Sequence, residues 1–116
     1  MRHCQNKKIL DRPRGSRRAL LRSLAINLIL TDKIKTTRAK AKALKPFIEK
    51  LVSFSRVNNL VNHRKILSYL NNQAATKKLL EVLGPKYQSR PGGYTRIIKL
   101  KQRQGDAAQL AIIEFI

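Results

Sequence analysis

The chain has 116 residues, of which 26 are Lys or Arg and only 6 are Asp or Glu, a formal net charge of +20. That length allows one domain with a modest core, and an apolar share of 42% is enough to fold it. Self-repulsion on this scale destabilises a compact free protein, which argues against a freely diffusing enzyme and for a polyanionic partner, nucleic acid ahead of a membrane surface or an acidic protein.

In chain order, residues 1–15 read as a basic arm. Arg2, His3, Lys7, Lys8, Arg12 and Arg14 stud it, Ile9-Leu10 is its only apolar pair, and Pro13 and Gly15 weigh against a helix before Ser16. Such an arm is expected to order against RNA phosphates. Cys4 is the single cysteine, so no internal disulfide forms, and with only His3 and His63 beside it no zinc cluster is expected. The polar, basic beginning does not read as a signal peptide, and no apolar run approaches the roughly 18 residues of a membrane span. The expectation is a soluble protein of a reducing compartment.

Ser16 reads as an N-cap. Ala19, Leu20, Leu21, Leu24, Ala25, Leu28 and Ile29 follow at helical spacing, with Arg17, Arg18 and Arg22 on the other side. This predicts a first helix to about Leu30. Thr31-Asp32 breaks it, and Lys33-Ile34-Lys35-Thr36 alternates as a short strand. Thr36-Thr37 then offers a second cap before Arg38, Lys40 and Lys42, and Leu44, Phe47, Ile48, Leu51 and Val52 keep one helical phase across Pro46. The expectation is one long, kinked helix to about Arg56, with a break near Lys45 as the alternative.

Asn58-Asn59 marks a turn. Leu60, His63, Leu67 and Leu70 fall close to one face of a third helix, with Arg64 beside it. Asn71-Asn72 repeats the cap signal for a fourth helix over 74–83, with Leu79, Leu80 and Leu83 inward, ended by Gly84-Pro85. Arg90-Pro91-Gly92-Gly93 is a turn leading into a strand. Period two places Tyr94, Arg96, Ile98 and Leu100 on one face and Thr95, Ile97, Lys99 and Lys101 on the other. The Ile98/Leu100 face is expected to be buried, leaving Lys99 and Lys101 outward. After a loop over 102–108, Leu110 to Ile116 supplies the partner strand.

The fold class predicted is α+β in two layers, in the order α-β-α-α-α-β-β. A small three-stranded mixed sheet is covered by helices, and residues 16–116 form one RNA-binding domain behind the arm. No carboxylate dyad, nucleophile triad or phosphate-cradling glycine loop is present, so the sequence predicts neither an enzyme, a cofactor, a metal site nor a small-molecule substrate. Aromatic residues are few, so base stacking is not expected as the main mode, and dispersed Lys and Arg suit phosphate contacts on a folded RNA. Both long helices open with a cap followed by cations, Ser16-Arg17-Arg18 and Thr37-Arg38-x-Lys40. Cations oppose the helix dipole there unless an anion joins them, which predicts phosphates near the backbone of Arg17–Arg18 and Arg38–Ala39.

Several blocks carry a resemblance. Met1-Arg2-His3, Arg17-x-Ala19-Leu20-Leu21-Arg22-x-Leu24, Ile34-Lys35-Thr36-Thr37 with Lys40-Ala41-Lys42, Arg90-Pro91-Gly92-Gly93-Tyr94-Thr95-Arg96-Ile97, Gly105-Asp106-x-Ala108 and Ala111-Ile112-Ile113-Glu114 are similar, in order and from end to end, to the bacterial large-subunit ribosomal protein L seventeen family. The chain departs from that pattern at Cys4, Ser16 and His63. The resemblance implies a structural ribosomal protein that binds large-subunit ribosomal RNA near the polypeptide exit tunnel, beside other large-subunit proteins, in a bacterial cytoplasm or an organelle. The expected RNA contacts are Arg2, His3, Lys7, Lys8, Arg12 and Arg14 on the arm, Arg17, Arg18 and Arg22, then Lys35, Thr36, Thr37, Arg38, Lys40 and Lys42, then Arg64, and last Arg90, Gly92, Gly93, Tyr94, Arg96, Lys99 and Lys101. A free-standing nucleic-acid architectural protein or an RNA chaperone is the rival expectation.

Overall fold

The computed structural model describes residue 10 and residues 12–116. Its elements are α1 (Arg14–Thr31), β1 (Lys33–Thr37), α2 (Arg38–Ser55), α3 (Leu60–Leu70), α4 (Gln73–Lys78), a π-helical turn (Leu79–Leu83), α5 (Gly84–Lys86), β2 (Thr95–Gln102) and β3 (Gln109–Phe115). The α+β order read from the sequence is the order found. Most of the expected basic arm, including Arg2, His3, Lys7 and Lys8, lies outside the described residues.

The first helix starts earlier than expected. Pro13, extended at φ −58° and ψ 157°, stands at the N-cap, and Ser16 lies inside the first turn. Proline at the mouth of a helix loses no bond, because the first amides have no partner within the helix. Asp32 closes α1 in the left-handed region, and Lys78 reaches from α4 to donate to Leu30 O at 3.2 Å and Asp32 Oδ1 at 3.0 Å. A cation at a helix carboxyl end complements the dipole.

α2 is one uninterrupted helix that carries Pro46 inside it. Pro46 and Lys42, whose carbonyl loses its amide partner, are both exposed, so the lost bond falls on the open side of the helix and not in the core. The opposite stripe, Ala41, Leu44, Ile48, Leu51, Val52 and Ser55, is buried. This helix is the hub of the fold, packing against all three strands and against α1 and α3.

α3 turns differently from the expected face. Ile66 and Leu70 are buried, whereas Leu60 is 62% exposed and His63 is exposed. Asn59 and Asn72 cap α3 and α4 through side-chain acceptors at 2.8 and 2.9 Å, and Asn71 between them is left-handed at φ 52°. Gly84-Pro85 does not end the fourth helix. Pro85 has no amide to give the α ladder, the Gly84 amide instead reaches back five residues to Leu79 O, and the chain stays helical to Lys86. Leu79, Leu80 and Leu83 are buried as expected.

The sheet has the order β1-β3-β2 and is antiparallel throughout, not mixed. The most apolar strand therefore lies in the middle. Ile34 pairs with Ile113, which pairs with Ile97 on the other side, and Thr95 pairs with Phe115. These residues face α2. The expected phase of β2 is thus reversed: Thr95 and Ile97 are on the covered face, while Ile98 is 42% exposed and shares the open face with Arg96. Register with β3 decides this, since both phases of β2 carry apolar residues. Glu49 on α2 accepts from the Thr95 amide at 3.4 Å and its hydroxyl at 3.1 Å, which seats the start of β2 on the helix.

Candidate nucleic-acid interface

The reversed phase of β2 has a direct consequence for charge. Lys99 pairs with Ala111, so it shares the face that α2 covers, but it lies beyond the apolar part of that face and is exposed. It therefore stands beside the amino end of α2 instead of pointing away. A bulge between Lys99 and Gln102 follows, and Lys99, Lys101, Gln109 and Arg38 line one cavity of about 300 Å³. Two neighbouring hollows share its walls, one bounded by Thr37, Arg38, Ala39 and Lys42, the other by Lys35, Thr36, Lys40 and Arg103. Cations separated by about sixty positions in the chain thus meet around one helix start.

The helix start itself is partly satisfied. The Thr37 hydroxyl accepts from the Lys40 amide at a long 3.4 Å, leaving the Arg38 and Ala39 amides of the first turn with no intrahelical acceptor. Arg38 Nη1 donates to Gln109 Oε1 at 3.1 Å, which fixes the guanidinium over the hairpin, and its buried Nε has no partner among the described residues. At the hairpin tip Arg103 and Asp106 form a two-bonded ion pair at 3.2 and 2.6 Å. The Arg103 hydrogen bond, helped by the Ala108 amide, lowers the Asp106 carboxyl from 3.8 to about 2. Arg103 and Gln109 were not singled out from the sequence. The Gly-Asp turn beside Arg103 was the available signal.

Among the described acids, Asp106 neutralises one cation of this rim, Arg103, and the ion pairs of the others lie elsewhere. Asp32 pairs with Lys78, Asp106 with Arg103 and Glu114 with Arg96 at 2.7 Å. Glu49 is occupied by Thr95. Arg96 is therefore a weaker candidate than Lys99 or Lys101, although the sequence grouped all three.

The other expected contacts fall elsewhere. Arg18 and Arg22 stand on α1 beside Phe47 and Tyr69, Arg64 is exposed on α3, and Arg12 and Arg14 are exposed at the start of α1. The Arg17 amide already donates to Pro13 O at 2.9 Å, so the early start of α1 removes that amide from the anion site expected at the backbone of Arg17–Arg18. Arg90, Gly92 and Gly93 form an exposed loop in which Arg90 Nε donates to Gly92 O at 3.2 Å and Gly93 is left-handed at φ 65°. Tyr94 is a correction. It is 1% exposed, packed 5.3 Å from the Tyr87 ring, and its hydroxyl donates to Arg90 O at 3.1 Å. It shapes the loop from below and presents no ring to a base.

Among the described residues no group of His, Cys, Asp and Glu is arranged to hold a metal ion, and no helix is long and apolar enough to cross a membrane. The fold and this rim define a small basic α+β interaction domain, organised around the amino end of one helix. The chain belongs to the family described as Ribosomal protein L17, whose sequence model matches residues 20–116. It is 47% identical to the large ribosomal subunit protein bL17 of a Hydrogenobaculum species, across all of this chain and 99% of that protein. The protein of the same name from Helicobacter hepaticus is 48% identical, with both chains covered entirely. The one from Rickettsia bellii is 46% identical across all of this chain and 82% of its own length.

Proposed function

We propose that this chain is a structural constituent of the large ribosomal subunit, binding ribosomal RNA through Lys and Arg contacts to phosphates. The observation that carries the RNA reading is the meeting of Arg38, Lys40, Lys42, Lys99 and Lys101 around the open amides of α2. Phosphates suit such a place twice over, through unpaired N–H groups and through cationic side chains. Family membership supports the ribosomal setting, since relatives matched along their whole length carry the large-subunit name. The finer reading places the protein near the polypeptide exit tunnel, in contact with other large-subunit proteins and with no catalytic role.

The test is the salt dependence of binding to transcribed large-subunit ribosomal RNA. Each phosphate contact steepens the plot of log affinity against log salt by about 0.7–0.9. A triple variant with Lys40, Lys99 and Lys101 each changed to Gln is expected to lose roughly 2–3 from that slope, whereas Lys77→Gln with Lys86→Gln, away from the rim, leaves it near wild type. Equal losses in both variants would show undirected charge attraction and remove the rim as the binding surface. An equally tight, equally salt-steep affinity for duplex DNA would favour an architectural nucleic-acid protein instead.

A further inference from the structure

A second place on the molecule combines arginine with aromatic rings. A cavity of about 460 Å³ lies between α1, α2 and α3, lined by Arg18, Leu21, Arg22, Phe47, Ser68 and Tyr69. Leu21 and Phe47 pack against the core and give it an apolar floor. Tyr69 meets Phe47 edge-on, with centroids 6.1 Å apart, and stacks with Phe54 at 6.4 Å and 17°. It nevertheless keeps 36% of its surface exposed. Arg22 Nε donates to the Tyr69 carbonyl at 3.0 Å, which holds the guanidinium beside the hollow. Lys50 Nζ lies 3.4 Å from the Tyr69 hydroxyl and 5.3 Å from its ring centre. Among the described residues no carboxylate lines the cavity.

We propose that this hollow is a nucleobase-binding site, in which a base turned out of the ribosomal RNA lies against Tyr69 and Phe47 while Arg18 and Arg22 hold the adjoining phosphates. The inference rests on the reading of the chain as an RNA-binding ribosomal protein and adds a mode of contact to it. Unstacked bases are what proteins read in folded RNA, by stacking on aromatic or guanidinium planes. A base with its phosphates offers a flat π face to an apolar floor and negative charge to the cations at its edge. An apolar side chain from a neighbouring protein would fill the floor but would leave Arg18 and Arg22 without a counter-charge unless a carboxylate accompanied it.

The test uses the full chain with large-subunit ribosomal RNA, compared across wild type, Tyr69→Leu, Tyr69→Phe and Arg18→Gln. Leucine keeps the apolar packing of an exposed site but removes the ring. Tyr69→Leu is expected to weaken binding about tenfold at fixed salt, the loss typical of one stacking contact, without changing the salt slope. Tyr69→Phe retains the affinity, and Arg18→Gln lowers the slope. Irradiating the complex made with 4-thiouridine-substituted RNA is expected to attach RNA to peptides containing Tyr69 or Phe47. If wild type binds tightly and steeply with salt while Tyr69→Leu matches it and crosslinks avoid both rings, the nucleobase site is wrong and the parent reading stands. If Tyr69→Leu binds RNA normally but enters large subunits poorly, the hollow belongs to a protein neighbour and the proposal is overturned. Failure of wild type to bind the RNA overturns both readings.

Discussion

A Cβ placed on Gly84 would lie 2.3 Å from the carbonyl oxygen of Ser55, the last residue of α2. Gly84 has ordinary helical angles, φ −56° and ψ −56°, so its glycine answers a close approach and not a turn. Where the fourth helix widens into its π turn, its backbone presses against the end of the hub helix. Alanine normally improves a helix by up to about 1 kcal/mol over glycine. Here the clash is with main chain, which cannot swing aside, and Gly84→Ala is expected to destabilise the protein by about 1–3 kcal/mol. Chemical denaturation checks the sign: a gain in stability would mean the two helices part at no cost.

The cross-strand pair of Arg96 and Glu114, 2.7 Å apart, changes what each β2 cation contributes. Lys99 and Lys101 have no such partner among the described residues. Removing one of them should reduce the salt slope of RNA binding by nearly one contact, about 0.7–0.9, and Arg96→Gln by clearly less. Arg96→Gln made together with Glu114→Gln should leave the slope almost unchanged. Equal slopes for Arg96→Gln and Lys99→Gln would show that the pair opens on binding.

Asp106 gives the hairpin tip a pH response. Its carboxyl is lowered from 3.8 to about 2, first by the Arg103 hydrogen bond and then by the Ala108 amide. A group whose folded value is depressed adds stability that is present above the unfolded value and lost as pH falls through the folded one. The tip contacts should therefore hold from neutral pH down past 4 and fail as pH approaches 2. In a carboxyl NMR titration Asp106 is expected to titrate at about 2, and Arg103→Gln should move it up toward 3.8 while the Ala108 amide keeps it below that value. An unmoved midpoint would mean the carboxyl is held by other groups.

How far the sequence reached can be seen at β2. Its existence, its partner strand and its turn were all legible, because Pro91-Gly92-Gly93 and β-branched residues report local geometry. Its phase was not. Ile98 and Leu100 offered one apolar face, Ile97 another, and only the pairing of Ile97 with Ile113 in a strand ten or more positions away decides between them. The candidate site inherits that gap, because Lys99 meets Arg38 only in the phase that forms. Asn72 was readable as a cap, and Asn59 as the turn before α3, for the opposite reason, since each acts within three residues of itself. Tyr69, Phe47 and Phe54 meet across α2 and α3, and a helix–helix contact leaves no mark in either segment alone. Pro85 misled because a π turn lets a helix pass a residue that cannot donate.

The amino end of α2 makes a prediction about the free protein. Arg38 and Lys40 occupy a first turn with no acid in it, where cations cost about 0.3–1 kcal/mol each when exposed. The Thr37 cap is long at 3.4 Å, and the Arg38 and Ala39 amides have no intrahelical acceptor. An oxyanion bound there would satisfy the amides and offset the cations together. Sulfate should therefore raise the melting temperature more than chloride at matched ionic strength. Sulfate also stabilises folded proteins generally by exclusion from their surface, so the informative quantity is the difference between wild type and a variant with Arg38→Gln and Lys40→Gln. That variant removes the charge while leaving Thr37 and the backbone in place. A binding contribution of the size above corresponds to an excess of about 1–5 °C for a domain of this length, present in wild type and absent in the variant. The same excess in both proteins would leave salting-out as the whole cause and remove the helix start from the list of phosphate sites. Saturation of the excess at low millimolar sulfate, against the steady rise that exclusion produces, is the second signature of a bound ion.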